Sequence, residues 1–217
     1  MKNVREEILD SKVIIIVRGV ELARLLPLAD ALIEGGVKLM EITYAAHDES
    51  SDERIAADIK ALSEYTDGRM YIGAGTVTRE RQVELTRNAG GKFIISPDTA
   101  PEIIAATKKA GLISIPGALT PSEITAAHRL GADFVKLFPA NQMGSSYLKA
   151  IKAPLSHISI LAVGGVNENT IPDYLAAGAS GFGIGTTFGN PEYLKCGRFD
   201  KITEAARMCV EAARGGK

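Results

Sequence analysis

Ala89-Gly90-Gly91-Lys92 runs into the apolar stretch Phe93-Ile94-Ile95-Ser96, and the same passage recurs along the chain. Glu34-Gly35-Gly36-Val37 precedes Leu39–Thr43, Ala110-Gly111 precedes 112–115, Leu130-Gly131 precedes 134–137, and Ala177-Gly178 precedes Gly181–Ile184. Glycine accepts the left-handed backbone that closes a helix, so each passage reads as a helix end feeding a strand. Short apolar runs alternating with helical patterns indicate βα units and a parallel sheet. Eight strands are predicted, at 13–18, 38–43, 70–74, 92–96, 112–115, 133–137, 157–162 and 181–184. Between them lie helical stripes such as Leu22, Leu25, Leu26, Ala29, Leu32 and Ile33, then Ile55, Ile59 and Leu62, and finally Ile202, Ala206, Val210 and Ala213. The expected fold class is α/β, a (βα)8 TIM barrel over residues 1–217 as one domain, with a capping helix around 2–11. A doubly wound sheet is the structural rival, because the same alternation supports both.

Composition narrows the function classes. The chain has 217 residues, 46% hydrophobic and 24% charged, with 25 Lys+Arg against 26 Asp+Glu. A net charge of −1 argues against a nucleic-acid binder, a disordered chain or a polybasic membrane anchor. The first apolar run, Val13–Val17, is too short for a membrane span or a signal-peptide core. Two cysteines, Cys196 and Cys209, make no disulfide framework; they read as packing residues of a reducing, cytoplasmic compartment.

Side chains of a strand alternate between its faces. On that pattern Ile14, Ile16 and Arg18 share one face, as do Leu39, Glu41 and Thr43, and Phe134, Lys136 and Phe138. If those faces point inward, Arg18, Glu41 and Lys136 enter one barrel mouth, at the strand ends where such folds carry their chemistry. Burying an unpaired charge costs several kcal/mol, so such groups are usually paired or functional. Two cations and one anion invite a negatively charged substrate.

Lys136 carries the most chemistry. An amine attacks a ketone only when neutral. A lysine of ordinary pKa, near 10.4, is neutral about once in a thousand molecules at roughly pH 7.4, a deficit of about 4 kcal/mol. Apolar neighbours and a second cation both reduce that deficit, and Phe-Val-Lys-Leu-Phe-Pro with Arg18 offers both. Glu41, in an apolar run, is a candidate general acid and base. Gly164-Gly165 and Gly183-Ile184-Gly185-Thr186 follow the last two strands, where barrels often bind phosphate on backbone N–H groups.

The motifs in order resemble the bacterial KHG/KDPG aldolase family, the 2-keto-3-deoxy-6-phosphogluconate and 4-hydroxy-2-oxoglutarate aldolases. They are Val17-Arg18, Gly35-Gly36-Val37 leading to Glu41-Ile42-Thr43, Gly73-Ala74-Gly75-Thr76-Val77, Ile95-Ser96-Pro97, Ile115-Pro116-Gly117, Lys136-Leu137-Phe138-Pro139-Ala140 and Gly164-Gly165-Val166. The resemblance implies a trimeric barrel and a class I aldolase needing no metal or other cofactor. It implies that Lys136 forms a Schiff base with the ketone carbon while Glu41 moves protons through a water. Arg18 and Thr76 would serve the carboxylate end of a small 2-keto acid phosphate, Thr43 would also bind the substrate, Pro97 and Phe138 would shape the pocket, and Gly164, Gly165, Gly185 and Thr186 would cradle the phosphate. The products would be pyruvate and an aldehyde such as glyceraldehyde 3-phosphate or glyoxylate.

Some positions depart from the family pattern. Ala45 stands where many members carry a carboxylate-binding Arg, Ala162-Val163 replaces the usual Pro-Thr, Thr186 replaces a Ser, and the loop Ala45-Ala46-His47-Asp48-Glu49 is unlike the common form. These changes leave the imine machinery in place and bear on the aldehyde partner. A metal-dependent aldolase is disfavoured, since His47, His128 and His157 lack ligand spacing and read as surface groups. A sugar-phosphate isomerase using Glu41 as base, and a non-catalytic phosphosugar-binding barrel, are the alternatives.

Overall fold

The computed structural model describes residues 3–185, 188 and 191–215. Its strands are β1 (Val13–Val17), β2 (Leu39–Thr43), β3 (Tyr71–Gly75), β4 (Phe93–Ile95), β5 (Ile113–Ile115), β6 (Gly117–Ala118), β7 (Val135–Leu137), β8 (Ile160–Val163) and β9 (Gly181–Ile184). The helices are α1 (Val4–Ser11), α2 (Leu22–Glu34), α3 (Asp52–Thr66), α4 (Glu80–Asn88), α5 (Pro101–Lys109), α6 (Pro121–Arg129), α7 (Ala140–Lys152), α8 (Ile171–Ala176), α9 (Pro191–Lys195) and α10 (Phe199–Ala213).

All strand pairs are parallel, in the order β5-β4-β3-β2-β1-β9-β8-β7-β6. The two ends of that order, β5 and β6, are consecutive in the chain, with only Pro116 between them. The ring therefore closes through the chain itself, and β5 with β6 forms one interrupted strand of a (βα)8 barrel. Proline cannot donate to a ladder, so the strand breaks there. Its carbonyl still accepts the Lys136 N–H at 2.8 Å, which ties the break to β7. The predicted strand 157–162 begins later, at Ile160, because the Ile158 N–H turns back to the Leu155 carbonyl instead of entering the sheet. The helix-closing glycines behave as the sequence predicts: Gly36, Gly90, Gly111, Gly131 and Gly178 all have positive φ.

The alternation along the strands sorts the core into two layers. Val13, Ile15 and Val17 pack outward against the helices, as do Met40 and Ile42, and Val135 and Leu137. Ile14, Leu39, Phe93, Ile95, Ile115, Phe134, Leu161 and Val163 fill the barrel interior. Burying each such side chain contributes about 1.5–3 kcal/mol. Ile8 of α1 joins the interior cluster, so α1 closes the lower end of the barrel. A reciprocal cap starts that helix: Asn3 Oδ1 accepts the Glu6 N–H at 2.9 Å, and Glu6 Oε2 accepts the Asn3 N–H at 3.1 Å. The observed helix is thus shorter than the predicted 2–11, and Lys2 lies outside the described residues. Cys209 is a buried residue of α10, as a packing thiol should be, and burial beside Glu168 pushes its pKa up to about 12. Cys196 is exposed, so the packing reading fails for it. His47, His128 and His157 are exposed, and the last two stack edge to face at 5.2 Å. No helix among the described residues is long and apolar enough to cross a membrane.

Candidate active site

Register brings the three charged groups together. Ile16 pairs with Glu41 and Glu41 with Gly73, while Lys136 pairs with Gly117 and Leu161. Each charged side chain follows or replaces an inward apolar residue on its strand. Above Phe93, Phe134 and Leu161 the interior opens into a cavity of about 490 Å³ at the C-terminal mouth. That volume suits a small metabolite.

Lys136 is 8% exposed and Glu41 is 2% exposed. Burial pushes the Lys136 ammonium toward neutrality, Glu41 opposes this, and the Arg18 charge adds to it. Burial likewise raises the Glu41 carboxyl, against the pull of Lys136 and Arg18. Removing charge from water dominates both groups, so each is drawn toward its neutral form. Lys136 Nζ lies 4.6 Å from the centre of the Phe138 ring, a cation–π distance that orients whatever ammonium remains. Glu41 Oε2 is buried with no hydrogen-bond partner, an acceptor left for a ligand in the cavity. Gly75 creates the room for this carboxyl: a Cβ there would overlap Glu41 Oε1.

Arg18 is exposed at the rim, and its Nη2 donates to Thr76 Oγ1 at 3.2 Å. Thr76 holds a left-handed backbone, φ 53°, which is strained for a β-branched residue. Such strain is found where a side chain must be aimed, here the hydroxyl beside Arg18. Arg18, Thr76, Pro97 and Phe138 all line the cavity with Lys136 and Glu41, and so do Gly164, Gly165 and Gly185. Thr186 lies outside the described residues. Thr43 does not line this cavity; it faces an adjoining pocket of about 270 Å³ that shares the Arg18 and Thr76 walls.

Sequence reading did not single out Ile16 as a site residue, and it named two further wall residues only in passing, Val163 as a departure from the family pattern and Gly183 as the start of the glycine-rich turn. Ile16 was legible in principle, since it shares the face of Arg18. Gly183 is small because a Cβ would press on Val163 and Ile16, at 2.9 and 3.0 Å. Also unforeseen is the clamp on the loop after β2. Asp52, 1% exposed, accepts two bonds from Arg79 Nη2 at 3.0 Å and one from Gln82 Nε2 at 2.9 Å. Arg79 Nη1 then donates to the Ala46 carbonyl at 2.9 Å, fixing the loop beside the mouth. Among the described residues no three His, Cys, Asp or Glu side chains gather as a metal would require.

A barrel whose mouth sets a desolvated lysine beside a buried carboxyl is an imine-forming site, built for a carbonyl substrate. The chain belongs to the KDPG and KHG aldolase family, which it matches over residues 4–205. It is similar to a protein of Rhizobium meliloti (strain 1021) named as a probable 2-dehydro-3-deoxy-6-phosphogalactonate aldolase, at 32% identity over 96% of both chains. It is similar to the KHG/KDPG aldolase of Escherichia coli (strain K12), at 34% identity over 93% of this chain and 91% of that one. Among solved structures it is similar to the KDPG aldolase of Legionella pneumophila, with pyruvate captured as a covalent carbinolamine. That likeness has a TM-score of 0.83 and 28% identity over 95% of this chain and 98% of the other.

Proposed function

We propose that this chain is a class I aldolase that cleaves a 2-keto-3-deoxy-6-phospho sugar acid to pyruvate and glyceraldehyde 3-phosphate. It also takes 4-hydroxy-2-oxoglutarate, giving pyruvate and glyoxylate. The observation that carries the reading is Lys136, buried, drawn toward its neutral form and set beside the unpartnered Glu41 oxygen.

Neutral Lys136 Nζ adds to the C2 ketone. Glu41 gives a proton to the resulting hydroxyl, water leaves, and a protonated imine remains. Glu41, now a carboxylate, takes the C4 hydroxyl proton. The C3–C4 bond breaks, its electron pair enters the iminium, the aldehyde departs and an enamine is left on Lys136. Return of the proton to C3 and hydrolysis release pyruvate and the amine. Arg18 with Thr76 binds the C1 carboxylate, and the backbone at Gly164 and Gly165 receives the distal phosphate. Phe138 and Pro97 flank the reacting carbons.

Pyruvate with borohydride is expected to leave a stable reduced adduct on Lys136, mapped by peptide mass spectrometry. Folded protein without an adduct, beside a responsive control aldolase, would sink the assignment and favour the isomerase or binding readings. The reading extends to a cytoplasmic homotrimer, for which exposed Leu130 and Met143 supply apolar surface. Light scattering should give three times the chain mass, and a monomer would refute the trimer.

A further inference from the structure

Arg18 stands between two spaces. On one side is the main cavity, and on the other the pocket of about 270 Å³ walled by Tyr44, Ala45, Ala46 and His47. The Arg18 side chain is exposed, and among the described residues its one side-chain hydrogen bond goes to Thr76 Oγ1. That bond uses a lone pair of the Thr76 oxygen. The Thr76 hydroxyl hydrogen and the remaining Arg18 N–H groups are left as donors for an anion. A long cation with open space behind it keeps its aim only while the wall behind it holds still, because its many rotamers compete.

Ala45 and Ala46 have no polar side chain to hold that wall. Arg79 holds it from the neighbouring loop. Its Nη1 donates to the Ala46 carbonyl at 2.9 Å, and its Nη2 donates to both Asp52 oxygens at 3.0 Å and to the Ala45 carbonyl at 3.5 Å. Asp52 opens α3, where the connection from β2 ends, so one guanidinium grips that connection at its middle and its end. Arg79 also follows Thr76 by three residues. Buried Gln82 stiffens the short link: its Oε1 accepts the Thr78 and Arg79 N–H groups at 2.9 and 3.3 Å, and its Nε2 donates to Asp52 at 2.9 Å. A planar fork of donors spans a carboxylate and a carbonyl at once, which a point charge does not. The loops on the two sides of Arg18 are thereby one unit.

We propose that Arg79 is a positioning residue for substrate binding: by pinning the Ala45-Ala46 wall to the loop that carries Thr76, it holds Arg18 and Thr76 aimed at the C1 carboxylate of the 2-keto acid. The inference rests on the aldolase reading and on the carboxylate-binding role of Arg18 and Thr76 within it.

The test is borohydride trapping over a range of pyruvate concentrations, beside methyl pyruvate, which offers the same ketone without the charged carboxylate. Arg79→Met alone would strand the buried Asp52 charge, so the variant combines Arg79→Met with Asp52→Asn and removes both charges. The pyruvate concentration that half-saturates trapping should rise by about five- to tenfold, the worth of one ordinary hydrogen bond. The maximal trapping rate, and the rate with methyl pyruvate, should stay within about twofold of wild type, because neither depends on carboxylate binding. In an Arg18→Gln background the same pair of substitutions should add less than about twofold, since the effect runs through Arg18, whereas independent sites would add in full. An unchanged pyruvate profile overturns the proposal. So do equal losses for pyruvate and methyl pyruvate, the mark of a merely structural ion pair, and so does full additivity with Arg18→Gln. If the paired variant does not fold, Arg79→Lys decides. Lysine still neutralises Asp52 but does not fork to the Ala46 carbonyl, so half-saturation by pyruvate should rise while methyl pyruvate is unmoved, and a wild-type profile refutes the proposal. Absence of any pyruvate adduct in wild type sinks the aldolase reading itself. An adduct in wild type with an unshifted pyruvate profile in the variants sinks only the role of Arg79.

Discussion

A Lys136→Met protein is expected to lose cleavage activity by roughly 10⁴-fold or more and to unfold at a higher temperature than wild type. Removing a covalent nucleophile can cost up to about 10⁶ in rate. Nothing else among the described cavity walls supplies an amine to the ketone: Arg18 is a permanent cation and the remaining lining is carboxyl, hydroxyl, apolar or glycine. The gain in stability comes from the same burial that tunes the amine. Methionine fills a similar volume and carries no charge to bury, so the desolvation that draws Lys136 toward its neutral form no longer opposes folding. The sign with pH follows from the lowered pKa of Lys136. Between that lowered value and the ordinary 10.5 the unfolded chain holds a proton that the folded chain has released. Wild-type stability from this group therefore rises with pH across that window. The advantage of methionine is largest below the window and shrinks through it. Thermal scans of both proteins across pH, beside the borohydride adduct, check both halves. An inactive but equally stable variant would mean that Lys136 bears no burial penalty, and the account of its neutral amine would fail.

The strand assignments that mattered most were legible because two short-range rules agree. Glycine marks where each helix ends, and alternation marks which side chains turn inward. Together they place Arg18, Glu41 and Lys136 at one mouth. Alternation also puts Thr43 on the inward face, but does not show what its hydroxyl bonds to, because the nearer acceptor is a backbone carbonyl on another strand. Pro116 was visible, yet the split of the fifth strand into Ile113–Ile115 and Gly117–Ala118 depends on which neighbour each half pairs with. The Arg79–Asp52–Gln82 clamp was illegible for a similar reason. Arg79 and Gln82 sit together at the start of α4, but Asp52 lies 27 and 30 positions before them on α3, and no spacing rule joins it to them. Cys196 shows the limit of a residue-type rule: free cysteines are usually buried, and this one is exposed.

Glu41→Gln should lower kcat/KM by about 10²–10⁴, the usual worth of a positioned general acid and base. The amide preserves the shape that Gly75 accommodates and can still accept a hydrogen bond, but it has no proton to give the carbinolamine and takes none from the C4 hydroxyl. Lys136 remains, so pyruvate and borohydride should still yield the lysine adduct, more slowly. The pH dependence of trapping adds a second reading. In wild type the Glu41 charge favours the ammonium form of Lys136, while burial and Arg18 oppose it. Glutamine removes the one favourable partner, so the amine is neutral at lower pH and the acid limb of trapping moves down the scale. A purely electrostatic Glu41 would shift that limb and leave the maximal cleavage rate within a few-fold of wild type. A base in an isomerase would lose its reaction with no adduct in either protein. Loss of cleavage, survival of the adduct and a lowered acid limb together occur only if Glu41 carries protons for an imine on Lys136.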